Sequence, residues 1–169
     1  MEYKAVWDSP LGALTVTGND TAITGLWMEG QRYFGAGLTE NAPDGTDLPM
    51  FRNAKAGLDA YFRGDNPDFS LISLSPNGTP FQEAVWAILR QIPYGETTTY
   101  GEIAAMLEAI SGRKTSARAV GSAVGRNPIS IFIPCHRVMG AGGKLTGYAG
   151  GLARKEFLLS LERKSELLP

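Results

Sequence analysis

The chain has 169 residues and 18.1 kDa, is 43% hydrophobic and carries a formal charge of −1, enough for one generous domain or two small ones with a real core. It has no apolar run of about 18 residues, and its start, "MEYKAVWDSPLG", has neither a basic nor an apolar leader region, so neither a membrane span nor a signal peptide is expected and a cytoplasmic protein is. With one cysteine and one histidine it cannot form an internal disulfide and falls short of a zinc ligand set, so neither metal nor cofactor is expected.

The first half reads as short strands. "YKAVWDS", "GALTVTGN" and "AITGLWME" are separated by the turn signals Ser9-Pro10 and Asn19-Asp20, which predicts a small antiparallel sheet. After a Gly/Asn/Pro/Asp-rich loop from Gly35 to Pro49, "MFRNAKAGLDAYFRG" spaces Phe51, Ala54, Leu58, Tyr61 and Phe62 at helical intervals, with Gly64 as its C-terminal stop. "SLSPNGTP" reads as a linker. The division expected is 1–75 for an N-terminal α/β domain and 79–169 for a mainly helical one.

Three helix starts follow. Thr79-Pro80-Phe81-Gln82 is a capping box opening "FQEAVWAILRQI", with Phe81, Val85, Ile88, Leu89 and Ile92 on one face, ended by Pro93-Tyr94-Gly95. Thr99-Tyr100-Gly101-Glu102 repeats the box, so Tyr100 is expected exposed in the first turn of the next helix. Ser116 can cap "ARAVGSAVG", which stops before Asn127-Pro128. Two short helices joined by "SGRKTS" make a helix-turn-helix candidate.

Charge is divided along the chain. Residues 1–79 hold 5 Lys+Arg against 10 Asp+Glu, and residues 80–169 hold 11 against 7. From Ala109 to Lys155 no acidic residue occurs, while Arg113, Lys114, Arg118, Arg126, Arg137, Lys144, Arg154 and Lys155 do. Such a stretch is either a solvated face or the footprint of a polyanion. Within it "ARAVGSAVG" has small side chains and one long one, Arg118. Small residues let helices pack closely, but beside a basic stretch they also suit shape-driven, sequence-independent contact with a nucleic-acid groove.

The sole cysteine and sole histidine are adjacent in "IFIPCHRVMG". Ile129, Ile131 and Ile133 alternate with Ser130 and Phe132 and predict a short buried strand ended by Pro134, from which Cys135 emerges into a loop. Neighbouring cations are expected to lower the thiol pKa, each unit corresponding to about 1.4 kcal/mol of preferential thiolate stabilisation. Adjacent side chains diverge in extended backbone, so His136 can take the thiol proton only across a tight turn or a bridging water. The third group, orienting the imidazole, is to be sought among Glu156, Glu162 and Glu166.

Together "IPYGETTTYGEIA", "ARAVG" and "GSAVGRNPISIFIPCHRVMGAGGKLTGYAGGLARKEFLLSLE" resemble the O6-alkylguanine-DNA alkyltransferases, across residues 79–163 and more loosely over the N-terminal sheet. The resemblance implies an α+β fold: a ribonuclease H-like N-terminal sheet with a helix, then a winged-helix-like domain. It implies that Cys135 accepts the alkyl group, that His136 activates it through a water, and that Glu162 orients His136. Asn127 is implied as a hinge bracing the turn, Tyr100 as the group that helps eject the nucleotide and protonate the guanine, and Arg118 as the finger filling the gap. Gly101 and Ala119 would also meet DNA, and Pro134, Val138 and Tyr148 would line the base pocket. The implied partner is double-stranded DNA carrying O6-alkylguanine, with O4-alkylthymine a further possible lesion, and the protein is expected to act as a monomer. Displacement at an sp3 carbon gives a thioether, which lacks the carbonyl that water attacks in an acyl-enzyme, so one irreversible turnover is expected. Two alternatives stay open: an alkyl-lesion-binding protein without transfer, and a Cys-His hydrolase turning over esters or amides without DNA.

Overall fold

A computed structural model of the chain describes residues 1–167, with side chains as far as residue 164. Its first layer is an antiparallel sheet of β1 (Tyr3–Trp7), β2 (Leu14–Gly18) and β3 (Ile23–Met28), in that order. Tyr3 pairs with Gly18 and Trp7 with Leu14, and Leu14 in turn with Met28. Both outer edges are covered. Lys4 exchanges backbone hydrogen bonds with Pro43 and Gly45, while β3 bonds Ser73 and Ser75 through Ile23, and Pro128 and Ser130 through Leu26. The last pairing ties the sheet to the segment that carries the cysteine.

Helix α1 (Pro49–Phe62) buries Phe51, Ala54, Leu58 and Tyr61. It ends where Gly64 takes φ +92°, a conformation that favours glycine. In α2 (Pro80–Leu89) the buried residues are Val85, Trp86, Ile88 and Leu89. Phe81, expected on that face, is 38% exposed; Trp86 occupies the core instead and donates its indole N–H to Ala123 O at 2.9 Å. A large ring with a polar edge satisfies that edge by reaching a helix carbonyl. Both capping boxes form, at Thr79/Gln82 and Thr99/Glu102. The second opens α3 (Tyr100–Ser111), which Gly112 closes at φ +71°.

Ser116 caps α4 (Ala117–Gly125) by accepting from Ala119 N. The helix-turn-helix is thus formed by α3 and α4, and α4 turns Val120, Ala123 and Val124 inward. Two-residue strands β4 (Thr98–Thr99) and β5 (Val138–Met139) pair in parallel, and α5 (Leu152–Leu167) closes the chain. The fold is α+β.

The strand expected over Ile129–Ile133 does not form. All five residues are buried, Ile131 sits at φ +72°, and the backbone coils through Phe132 N→Ser130 O and Ile133 N→Ile129 O bonds. Alternation predicts a strand only where one face meets solvent, and here neither does. A left-handed β-branched residue costs on the order of 1–2 kcal/mol, and Asn127 offsets it by donating Nδ2–H to Ile133 O (2.8 Å) while Oδ1 accepts from Ile129 N (3.0 Å).

Thr99→Ala removes the acceptor for Glu102 N and releases the reciprocal bond to Thr99 N. The expected loss is about 1 kcal/mol, read as a lower urea midpoint with an unchanged m-value.

Candidate active site

Pro134 ends the coiled turn, and a single 3₁₀ turn, Cys135–Arg137, follows. Cys135 and His136 are thus successive residues of one tight turn. Cys135 is 4% exposed, yet its side chain lines a cavity of about 360 Å3 with Tyr100 of α3, Gly121, Ser122 and Gly125 of α4, and Tyr148. That size falls within the range of small-molecule sites, about 300–1,000 Å3.

The next two residues of the turn, His136 and Arg137, enter a buried charged network centred on Glu162 of α5. His136 Nε2 stands 2.5 Å from Glu162 Oε2, and Arg137 donates Nε–H to Oε1 (2.8 Å) and Nη2–H to Oε2 (3.2 Å). Tyr61 Oη donates to Oε2 at 2.6 Å, and Gly95 N–H to Oε1 at 3.1 Å. The His136 and Arg137 bonds hold the carboxyl far below the usual carboxylate range despite its burial. An anionic acceptor beside Nε2 fixes the imidazole proton there, and Nδ1 is left buried with no hydrogen-bond partner among the described residues. Burial lowers the His136 pKa against the pull of Glu162, so the ring is stored neutral.

The thiol departs from expectation. Burial pushes the Cys135 pKa up, outweighing the Asn127 amide, the Lys155 ammonium and the Tyr148 hydroxyl, which pull it down. Lys155 is the member of the basic stretch that favours the thiolate; Arg113, Lys114 and Arg118 are exposed. Two members of that stretch are not on the surface at all. Arg137 is 7% exposed and serves Glu162, with Nη1 on Ile92 O at 2.7 Å. Lys155 is fully buried, with Nζ donating to Val138 O (2.5 Å), Thr146 O (2.7 Å) and Gly147 O (3.2 Å). Burial brings its pKa down to about 8, opposed by the sulfur.

Of the three glutamates considered, Glu162 meets the imidazole, Glu156 is exposed, and the Glu166 side chain lies outside the described residues. Tyr100 is half-buried rather than exposed; it faces the cavity, with its ring against Gly121, where an added Cβ would sit 3.7 Å away. Arg118 and Gly101 are exposed and Ala119 is half-buried, all near the N-termini of α3 and α4. Tyr148 lines the cavity, its buried hydroxyl near Ser130 and Cys135. The two other expected pocket residues do not line this cavity. Pro134 lines a different cavity, of about 400 Å3, with Phe69, Arg90 and Arg137, and Val138 is buried in β5, where pairing with Thr98 fixes it.

Residues the sequence reading missed are Tyr61, Lys155 as a buried group, and Arg32 with Tyr33. The last two bring the loop after β3 to the cavity mouth: Arg32 N–H donates to Ala149 O, and the Arg126 guanidinium lies 3.8 Å from the Tyr33 ring centroid. Only the helical spacing of Tyr61 was visible beforehand.

Residues 80–164 match the 6-O-methylguanine DNA methyltransferase DNA binding domain, and residues 3–76 the ribonuclease-like domain of the same family. The methylated-DNA–protein-cysteine methyltransferase of Mycolicibacterium paratuberculosis is 49% identical over 97% of this chain and 93% of its own length. The chain belongs to the 6-O-methylguanine DNA methyltransferase family. A methylated-DNA–protein-cysteine methyltransferase from Methanosarcina acetivorans is 45% identical over 95% of this chain and 97% of its own. The crystal structure of Mycobacterium tuberculosis OGT in complex with DNA has a TM-score of 0.81 to this fold at 44% identity, covering 96% of this chain and 94% of that one. No helix among the described residues is long and apolar enough to cross a membrane.

The neutral imidazole and the ionised carboxylate set the acid response. His136 and Glu162 both have folded pKa values below their unfolded ones, about 6.5 and 4.3, so on acidification the unfolded chain binds more protons. Stability contributed by His136 is therefore lost as pH falls below about 6.5, and that of Glu162 below about 4.3. The thermal midpoint should fall steadily between pH 7 and pH 5 in calorimetry. A flat or rising midpoint over that interval would contradict a neutral buried His136.

Proposed function

We propose that this protein repairs double-stranded DNA by moving the alkyl group of O6-alkylguanine to Cys135 Sγ, once per molecule. The observation that carries the reading is that the sulfur opens on a cavity beside α4 and has a neutral imidazole with a free Nδ1 on its own 3₁₀ turn. Because burial keeps the sulfur protonated, a base must remove its proton as it attacks. The proton passes from Sγ to His136 Nδ1 by way of a water, Sγ bonds to the alkyl carbon, and the carbon–O6 bond breaks with its electron pair going to the guanine. A proton delivered from the side of Tyr100 makes that base the better leaving group. Glu162 supports the imidazolium as it forms.

The nucleotide must leave the stack to reach a sulfur this deep, which costs a few kcal/mol. The exposed face of α4, with Ala117, Arg118 and Ser122, is low enough for close approach to the duplex, and Arg118 is its one long side chain. Asn127 holds the turn that presents the sulfur. Residues 79–169 act as the DNA-binding alkyltransferase domain and residues 1–75 support it, in a cytoplasmic monomer.

Incubation with duplex DNA containing O6-methylguanine should add about 14 Da to the Cys135 peptide in stoichiometric amount, with loss of methyl from the DNA. Cys135→Ser should bind that DNA without taking up the methyl. Unmodified wild-type protein with the lesion intact would overturn the reading in favour of lesion binding alone, and repeated turnover would favour a hydrolase.

Arg118→Ala should slow transfer from duplex DNA by about tenfold or more while leaving reaction with free O6-benzylguanine base unchanged, because only the duplex requires the gap to be filled. Parallel losses on both substrates would place Arg118 in the pocket chemistry instead.

A further inference from the structure

Tyr61 appeared in the sequence as one apolar position of a helix. In the structure its ring is fully buried, with Phe62, Phe69 and Tyr94 around it at centroid distances of 5.5, 5.8 and 6.1 Å. Its hydroxyl crosses from α1 to α5 and donates to Glu162 Oε2 at 2.6 Å, the oxygen that also meets His136 Nε2 at 2.5 Å. Tyr61 Oη and His136 Nε2 are themselves 3.5 Å apart. Donors from opposite halves of the chain therefore share one carboxylate oxygen: Tyr61 from the first, and His136 and, at longer range, Arg137 from the second.

The other charged and titratable groups around them are accounted for. Arg137 serves mainly Oε1 and is anchored on Ile92 O; its second contact to Oε2 is longer, at 3.2 Å. Lys155 bears on His136 from α5 and is held by three carbonyls, and Tyr148 bears on Tyr61 from the cavity side. Among the described residues, Tyr61 is the one neutral donor that shares Oε2 with the imidazole at short range.

We infer that Tyr61 is a positioning residue for alkyl transfer: by occupying Glu162 Oε2 it limits how strongly that carboxylate stabilises protonated His136, and so keeps Nδ1 free to receive the thiol proton. A carboxylate oxygen that already accepts a strong hydrogen bond is less basic toward a second donor, and an imidazole already protonated cannot act as a base. The consequence for transfer rests on the function proposed above; the effect on His136 does not.

His136 is the only histidine, so its imidazole signals in an NMR pH titration need no further assignment. Tyr61→Phe keeps the ring and deletes the donor, and the His136 midpoint should rise by about half a unit to one unit with the proton still on Nε2. The acid limb of the methyl-transfer rate should move up with it, while the rate at pH 8.5 changes less than about threefold. Installing 3-fluorotyrosine at position 61 keeps shape and bond but strengthens the donor, and should move the midpoint the other way. That arm decides the matter should Tyr61→Phe not fold. Midpoints that stay within about 0.2 units in both variants, or that move in the same direction, overturn the role of Tyr61. Wild-type protein that leaves the lesion in DNA while these shifts appear would overturn the transfer reading and spare this one.

Discussion

One buried carboxylate organises this molecule. Glu162, 1% exposed, is compensated by two contacts from Arg137, one from His136, one from Tyr61 and one from the Gly95 amide. A buried charge is tolerated only when its partners are in place, and loss of one partner of such a pair costs on the order of 3–5 kcal/mol. Those partners come from α1, from the loop after α2 and from the 3₁₀ turn, so the same charge that fixes the imidazole also holds the two halves of the chain together. The N-terminal sheet adds a second tie through Leu26, which bonds Pro128 and Ser130 on either side of Ile129. The cysteine is thus presented by a turn braced from one side by a strand edge and from the other by a charged network.

Burial of the sulfur fits chemistry that can be spent only once. A thiol whose pKa is raised is a weak nucleophile and resists adventitious oxidation, since both reactions run through the thiolate. Under the proposed function, reactivity then depends on a base that acts when the substrate is in the cavity, the part given there to a neutral His136 with its proton on Nε2. Lys155 moderates the same balance: its buried ammonium favours the thiolate, and its three carbonyl contacts fix where that charge sits.

What was legible in the sequence was local. The strands, the capping boxes at Thr79 and Thr99, the Ser116 cap and the terminating glycines depend on residues within a few positions of one another. The pairing of the only thiol with the only imidazole was visible too, and resemblance brought in Glu162. What could not be read was which charges are buried. Arg137 and Lys155 look in the sequence like Arg113 and Lys114, and only tertiary packing turns the first pair inward onto a carboxylate and onto carbonyls. Ile129 to Ile133 failed for the opposite reason: a period of two was present, but Ser130 and Phe132 are buried as well, and two bonds from Asn127 hold a coil where alternation predicts extended backbone. Tyr61 was hidden because its ring obeys the helix pattern while its hydroxyl does the work.

The composition of α4 answers two demands at once. Facing inward, small residues let α4 lie against α2 closely enough for Trp86 to reach Ala123 O, and let Gly121 receive the face of Tyr100. Facing outward, the same economy leaves a low ridge with Arg118 as its only long side chain. Tight packing of "ARAVGSAVG" therefore does not compete with the close approach to a groove that the proposed function asks of it. Under the proposed function, a helix thin on both sides would bring the duplex near to Tyr100 and the cavity at its C-terminal half, where Gly121, Ser122 and Gly125 form part of the wall. The shorter that path, the less of the cost of unstacking must be met by the pocket alone.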